Sequence, residues 1–512
     1  MVAPMNPGRA GDGAADDGAD GRRGGRAARG TWLTPAAIAR ITGGEALRRG
    51  AAAATVTTDS RGDCAGNLFV ALRGSTHDGH SFLPAAVQRG AAGLLVDRPL
   101  DGWSDLLVAE RLAAAEGRSP AFVVRVADTG KALLDLAAEH RRRHRARVVG
   151  ITGSCGKTST KEWLGAMLTT AMPTVQSPSS YNNQIGVPLT LFAIEPKTRA
   201  AVVEIGTNAP GEIAQLTAVV RPDVGIVTCV APAHLAGLGS LEGVAREKAG
   251  LPMGLPEDGL CILNGDDAAC RAMAETTKAE VQFTSVSRTA DWFATEVRFH
   301  AMGTTFLLQG ERPVTLPRLG THNVYNALAV IAAASHLGVA EEQILRTLAA
   351  VPSAARRLEP KLAGGVTIFD DTYNMNPQSA RAGLQALAGL AGEGPGAARR
   401  VVVFGEMLEL GGQSDALHHA LGTDVQRTRQ DVLVCVGDGA RRIADGAIAA
   451  GMPARQVHLV EDVAAAFPLL RSLLQPGDRV LCKASRRVAL DRLVDRLVAE
   501  LGSPAAAASE SN

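Results

Sequence analysis

Aromatic side chains make up only 4% of this 512-residue chain, and its formal net charge is +1. Basic and aromatic residues therefore do not interleave into the kind of stripe that grips nucleic acid, and no charge excess draws the chain to an acidic membrane surface. No run of 18 apolar residues occurs, which argues against a membrane-spanning helix and against membrane insertion. The seven cysteines (64, 155, 229, 261, 270, 435 and 482) are odd in number and dispersed, and none form a C-x-x-C pair. That usage suits a reduced compartment, so the protein is expected to be soluble and cytoplasmic. Residues 1–30 lack the apolar segment of a signal peptide and read as a disordered tail, as do the Ser- and Ala-rich residues 503–512. The basic run Arg141–Arg147 is the one local charge excess, and it reads as the solvated end of a helix. No repeat of solenoid period is visible.

What the chain does contain is a strand that runs into a glycine-rich loop and a helix start, VVGITGSCGKTSTKEWL from Val148 to Leu164. Gly153 and Gly156 let the backbone approach phosphate oxygens, and amides at the helix N-terminus point at an anion. Ser154, Cys155 and Ser159 complete the cradle, Lys157 reaches the outer phosphates, and Thr158 is placed to ligate Mg²⁺. The pattern G-x-x-x-x-G-K-[ST] asks for a glycine where this chain has Ile151, so the loop is a shorter variant. Cys155 reads as a small filler rather than a reactive thiol.

Hydrophobic residues amount to 46%, enough for several cores, and the length calls for two to four domains. Residues 31–146 read as a compact α/β unit with a helix at Pro35–Thr42 and strands at Asn67–Leu72 and Gly93–Val96. Over 147–351, strands Ala200–Ile205, Val224–Val230 and Gly259–Asn264 alternate with helices, predicting a parallel sheet with the loop at its carboxyl edge. Over 352–502, strands Val366–Asp371, Arg400–Phe404, Val432–Val436 and Arg479–Lys483 alternate with helices Ser379–Leu390, Ala440–Ala450 and Val488–Leu501. The expected fold is thus α/β throughout, with a central phosphate-loop domain and a Rossmann-like domain after it.

Polar residues gather where strands end. Glu204 closes one strand and His234 follows another, so both can face a loop-bound Mg²⁺; alone, either is more often a satisfied loop residue than a ligand, and the phosphate loop beside them reverses that balance. Around them stand TGSCGKTS, EIGTNAPGEI (204–213), AHLAGLGSLEGVAREK (233–248), NGDD (264–267), GTHNVYNALA (320–329), RRLE (356–359) and DDTYNMNP (370–377). In this order they resemble the Mur ligase family, ATP-dependent enzymes that extend the peptide of a UDP-linked cell-wall precursor. The resemblance runs from about Thr57 to Leu497. DDTYNMNPQSARAGL, GEMLELGGQSDALHH (405–419) and KASR (483–486) look like the branch that joins D-alanyl-D-alanine to UDP-N-acetylmuramoyl-tripeptide. The Asp-Asn-Pro-Arg type motif of the preceding step is not found.

The resemblance implies roles. The first domain would hold the UDP part of the precursor, with Ser60 and Arg61 at that side and a plain turn cluster as the alternative; YNNQIGVPLTL, including Asn182 and Asn183, would receive the muramoyl peptide. Lys157 would steady the transferring phosphoryl group, while Thr158 and Glu204 hold one Mg²⁺ and His234 serves a second. Lys248 matches a family lysine that becomes carbamylated and so helps hold magnesium, although a solvated helix lysine is its ordinary reading. Asn323 would sit beside the adenine, or else cap a helix. Arg357 would reach ATP phosphate, with Arg356 adjacent, and Asp371 would bind ribose hydroxyls. Asn374 and Asn376 would line the entry of the dipeptide. A monomer whose domains close over ATP is expected. A sibling ligase, such as folylpolyglutamate synthase, and an inactive nucleotide-binding regulator are the alternatives. Ala484 replaces a usual glycine, Leu490-Asp491 a usual Met-Glu, and Glu406 a usual aspartate.

Overall fold

The computed structural model describes residues 32–74, 76–99, 104–300, 303–351, 355–390 and 398–502. The expected tails at 1–30 and 503–512 lie outside the described residues. Two compact units divide between Thr129 and Gly130.

The first unit is built on a five-stranded sheet in the order Glu45–Arg48, Phe122–Arg125, Gly93–Val96, Leu68–Val70, Val56–Thr57, parallel except for the first pair. Phe69, Leu83, Leu94, Leu106 and Val123 fill its core. Its opening helix, Pro35–Thr42, starts where Thr34 accepts the Ala37 amide at 3.2 Å and Pro35 pre-sets the first turn, and it stops where Gly43 turns left-handed at φ 65°.

The second unit carries two sheets. Nine strands form the first, in the order Arg312–Leu316, Gly303–Leu308, Trp292–His300, Glu280–Ser285, Leu260–Asn264, Val224–Val227, Arg147–Thr152, Ala200–Glu204, Thr174–Gln176. The expectation of a parallel sheet needs correction at one edge, where Trp292–Leu316 folds as an antiparallel meander. Its strands are covered on one side only: Phe306, Leu308, Val314 and Leu316 alternate inward into the core, with the helix Glu341–Leu348 packed against the last strand and more exposed residues between the inward ones. That alternation is the antiparallel signature. The second sheet runs Glu359–Ala363, Val366–Asp370, Arg479–Lys483, Arg400–Phe404, Val432–Val436, Val457–Val460 and is parallel apart from the first pair, a hairpin that turns through Gly364 and Gly365 at φ 56° and 76°.

The helix Thr129–Arg142 begins at the unit division, ahead of the expected boundary at 146. Its far end is bound into the second unit. Arg141 is buried, donating to the carbonyls of Val220 (2.9 Å) and Arg221 (3.1 Å) and to Asp223 (3.3 Å). The reading of Arg141 as solvated is therefore corrected: its guanidinium satisfies carbonyls left open where the helix Glu212–Val220 ends.

Candidate active site

The strand Arg147–Thr152 is buried except at its first residue, and it delivers the chain into Gly153–Gly156 before the helix Lys157–Ala171. Both glycines are required. Gly153 (φ 145°) leaves 1.9 Å between a built Cβ and Thr228 Oγ1, and Gly156 (φ 83°) leaves 2.4 Å between such a Cβ and Asn326 Oδ1. Ser154 ties the loop down, its hydroxyl donating to Ala231 O and accepting the Ala231 amide, each at 2.9 Å. Lys157 Nζ donates to Gly153 O at 2.7 Å, curling over the loop it serves. Ser159 is buried on the first helical turn.

This loop opens onto a cavity of about 820 Å³ between the two sheets of the second unit. From the nine-stranded side come Ser154–Ser159, Asn182, Glu204, His234, Asn323 and Asn326; from the other come Arg357, Asp371, Tyr373, Asn374, Asn376, Glu409 and Lys483. Bonds cross between the two sets. Arg357 Nη2 donates to Thr158 Oγ1 at 3.1 Å while its guanidinium stacks over Tyr373, 4.2 Å from the ring centroid. The Tyr373 and Ser180 hydroxyls share a bond of 2.6 Å, and Asn376 Nδ2 reaches Ser154 O at 3.5 Å. Arg356 is not in the cavity; Asp370, Asp491 and Asp495 hold it inside the C-terminal sheet region.

Glu204 is 1% exposed. Its Oε1 accepts from Asn182 Nδ2 at 2.8 Å, while Oε2 is buried with no partner. A second, smaller cavity of about 70 Å³ shares Lys157, Asn182 and His234 with the main one and is lined also by Asn183 and Lys248. Lys248 is not the solvated helix residue of its ordinary reading: it is 2% exposed, and burial first, then the Lys157 ammonium, pull its amine down to about 7. His234 sits at φ 54° with Nδ1 2.8 Å from Glu409 Oε2, and burial holds its imidazole below the usual range.

Several side chains named from sequence are already committed locally. Asn183 Oδ1 accepts the amides of Ile185 and Gly186, and Asn376 caps the helix Pro377–Gly389, accepting Ser379 N at 2.9 Å. Asn323 does not cap its helix, a place taken by Gly320; it donates to Leu319 O at 2.8 Å and accepts from Asn326. Asp371 is buried against Lys483 Nζ at 2.6 Å, and Lys483 also holds Asn374 O at 3.0 Å. Ser60 and Arg61 belong to the first unit, where Ser60 is buried and Arg61 folds back onto Asp59 at 2.9 Å. Cys155 has its sulfur 3.3 Å from the Asn376 amide, and its neighbour Cys229 leads the causes that pull its thiol down to about 6.

Sequence reasoning missed Tyr373, Lys483 and Glu409, although each stands inside a quoted motif. It also missed Tyr325, whose hydroxyl donates to Asp266 at 2.6 Å. Asp266 also accepts from the Ser287 and Ser285 hydroxyls and the Val286 amide, and these bonds, with that from Tyr325, outweigh its burial and hold its carboxyl well below the usual range.

Comparison with known proteins decides the family. The profile of the Mur ligase middle domain matches residues 151–334, the Mur ligase glutamate ligase domain matches 356–486, and the Mur ligase family catalytic domain matches 53–141. The chain belongs to the Mur ligase family. Among Mur ligases, it is 37% identical to the UDP-N-acetylmuramoyl-tripeptide–D-alanyl-D-alanine ligase of Escherichia coli, over 86% of this chain and 93% of that one. It is 36% identical to the ligase of the same name from Mycobacterium tuberculosis, over 91% and 98%. The crystal structure of MurF from Acinetobacter baumannii superposes with a TM-score of 0.79 at 31% identity, covering 91% of this chain and 99% of that one. The three-domain α/β fold is therefore that of the Mur ligases, and the chain is a ligase. No helix among the described residues is long and apolar enough to cross a membrane.

Proposed function

We propose that this Mur ligase joins D-alanyl-D-alanine to UDP-N-acetylmuramoyl-tripeptide, with ATP cleaved to ADP and phosphate. The observation that carries the reading is the split cavity, in which a phosphate loop faces Arg357, Asp371 and Lys483 from the opposite sheet. Relatives bearing that activity in their names, at 33% to 37% identity over most of their length, support the choice of substrates.

In this reading the γ-phosphoryl group passes to the terminal carboxylate of the tripeptide as its bond to the β-phosphate oxygen breaks. The dipeptide amine then attacks the acyl carbon, the amide forms and phosphate leaves. Catalysis is positioning and charge neutralisation. The loop amides and Lys157 hold the phosphates, and Arg357 reaches them from the other sheet. Asp371, fixed by Lys483, meets the ribose, and Asn323 lies toward the adenine. Asn182 and Asn183 border the muramoyl peptide, Asn374 and Asn376 the dipeptide, and Ser60 and Arg61 the uridine side.

The residues also fit magnesium. Mg²⁺ takes one or two carboxylates plus phosphate oxygens and keeps several waters, and Glu204 Oε2 is a buried carboxylate oxygen with nothing bonded to it. Thr158 and Glu204 would hold one ion, and His234 with a carbamylated Lys248 a second. Bound there, magnesium would neutralise charge on the transferring group. Lys248 favours carbamylation because a buried amine held down to about 7 is substantially uncharged near neutrality and can add carbon dioxide. The enzyme would work in the cytoplasm as a monomer.

Phosphate release with UDP-muramoyl-tripeptide and a panel of amines tests the proposal. Turnover with D-alanyl-D-alanine alone supports it. Turnover with glutamate or a diamino acid instead moves the chain to a sibling ligase, and unchanged ligation in Lys157→Ala overturns the site as assigned.

A further inference from the structure

The ligation chemistry uses no thiol, yet two cysteines meet at the phosphate loop. Cys155 lies between Ser154 and Gly156 on the wall of the main cavity, half-buried; Cys229 is 6% exposed, just beyond the neighbouring strand Val224–Val227. The two segments are cross-tied. Ser154 N donates to Cys229 O at 2.9 Å, Thr228 Oγ1 donates to Cys155 O, and the Cys229 thiol lies 3.7 Å from that same carbonyl. Cys229 lines the same cavity as Cys155, so the two side chains share one wall.

The surroundings separate Cys155 from every other cysteine of the chain. Burial pushes Cys64, Cys261, Cys270, Cys435 and Cys482 up, which leaves them inert thiols; Cys229 is pushed up as well, by Cys155 first and by burial next, and the share due to the Cys155 thiolate is released when that thiolate is oxidised. Cys155 faces the cavity, with Asn376 Nδ2 at 3.3 Å and the Lys157 and Lys483 ammonium groups favouring its anion. A thiolate-favouring, accessible cysteine beside a partner thiol is the arrangement of a redox sensor and its resolving residue.

We propose that Cys155 and Cys229 form a hydroperoxide-sensitive pair, oxidation of which closes a disulfide across the phosphate loop and blocks nucleotide binding. This rests on the loop being the ATP site. The Cys155 thiolate attacks the peroxide: an S–O bond forms, the O–O bond breaks, and hydroxide leaves. Cys229 sulfur then attacks the sulfenic sulfur of Cys155; the S–S bond forms, the S–O bond breaks, and the oxygen departs as water with the Cys229 proton. Two thiols lose two electrons and one hydrogen peroxide becomes two waters. A dithiol reverses the change by exchange.

The test treats the full chain with hydrogen peroxide and maps peptides by mass spectrometry, with nucleotide binding followed in parallel. A Cys155–Cys229 disulfide is expected, with binding lost in step and restored by dithiothreitol. Magnesium-ADP at about ten times its Kd leaves roughly a tenth of sites open, so it should slow the oxidation about tenfold. Cys229→Ser should leave a sulfenic acid at Cys155, trapped by dimedone, and no disulfide; Cys270→Ser should leave the disulfide unchanged. Absence of the disulfide in the wild-type chain overturns the proposal even if ligation proceeds normally. A disulfide that leaves nucleotide binding intact overturns the blockade. Loss of the ligase reading would show separately, as no turnover of the muramoyl substrate by untreated enzyme.

Discussion

His234 Nδ1 lies 2.8 Å from Glu409 Oε2, joining the nine-stranded and six-stranded sheet regions at the edge of the cavity. Both residues have left-handed backbones, φ 54° and 66°, and Glu409 O also accepts the Ala236 amide at 3.1 Å. Two non-glycine residues held in that region indicate that the surrounding structure over-determines their positions. An imidazole that donates through Nδ1 keeps its Nε2 lone pair, and a carboxylate partner fixes its orientation and raises its basicity.

Removing that carboxylate should therefore show in the magnesium dependence. Glu409→Ala is expected to raise the Mg²⁺ concentration at half-maximal ligation by about tenfold or more, within the range for outer-shell partners of metal-binding histidines. Glu409→Gln keeps an acceptor for Nδ1–H and should stay within a few-fold of the parent, an order-of-magnitude expectation from the same reasoning. A Mg²⁺ titration of ADP release decides it, and an unchanged half-maximum in Glu409→Ala would overturn the proposed role of His234 as a magnesium ligand.

The adjacent arginines of RRLE should separate by assay. Arg357 touches Thr158 and Tyr373 at the loop, whereas Arg356 pairs with Asp495 at 2.9 Å and with Asp370 and Asp491 beyond. Arg357→Ala is expected to raise KM for ATP by roughly tenfold to a hundredfold, the loss of about 1.5 to 3 kcal/mol in charge-assisted bonding. Arg356→Ala should leave that KM unchanged and lower Tm by a few degrees, about 1 kcal/mol of partly exposed pairing. Steady-state kinetics and a melting curve suffice, and the reverse pattern would exchange the two assignments.

The phosphate loop was legible because its backbone geometry is local: two glycines, a lysine and a helix start suffice, and neighbours at Thr228 and Asn326 merely reinforce it. Strands Arg400–Phe404 and Val432–Val436 were legible because they are buried on both faces and read as continuous apolar runs. Glu409, Tyr373 and Lys483 were not, since each acquires meaning from a partner far along the chain, His234, Ser180 and Asp371 respectively. Arg141 was misread for the same reason: a basic run says nothing of the carbonyls at Val220 and Arg221 waiting to receive it. The Trp292–Leu316 meander was missed because its alternation in burial is blurred in sequence, where the apolar Leu307 stands between Phe306 and Leu308, and because its strands follow a series of parallel ones.

Acid should destabilise the second unit before carboxylates protonate. Burial pulls His140 down to about 4; its Nε2 donates to Ile194 O at 2.9 Å, and His144 and Arg143 lie beside it. His322, lining the main cavity, is likewise pulled to about 4 by burial and Lys483. A base depressed on folding takes up fewer protons folded than unfolded, so its neutral burial is undisturbed above 6.5 and opposes folding progressively from 6.5 down to about 4. Urea unfolding at pH 7.5 and 4.5 should differ by about 2 kcal/mol or more, and His140→Gln should reduce that difference. Equal pH slopes in variant and parent would show that His140 is already charged in the fold.

Lys248 gives the sharpest chemical discrimination. Its burial beside Lys157, with no carboxylate paired to its ammonium among the described residues, leaves a charged lysine poorly accommodated. The proposed carbamylation would turn it into an anion: the amine nitrogen would bond the carbon of carbon dioxide with loss of one proton, beside the small cavity that Lys248 lines together with His234. Lys248→Arg cannot undergo this addition and retains a positive charge, so ligation should fall by about a hundredfold to a thousandfold, the usual cost of removing a charge that steadies a transition state. Lys248→Ala removes the amine and leaves room, and a short carboxylate such as acetate should restore part of its activity while doing nothing for the arginine variant. Enzyme stripped of carbon dioxide should likewise slow and recover with bicarbonate. Full activity in Lys248→Arg would show that the family lysine acts here as a cation, and the proposed second magnesium would lose that ligand.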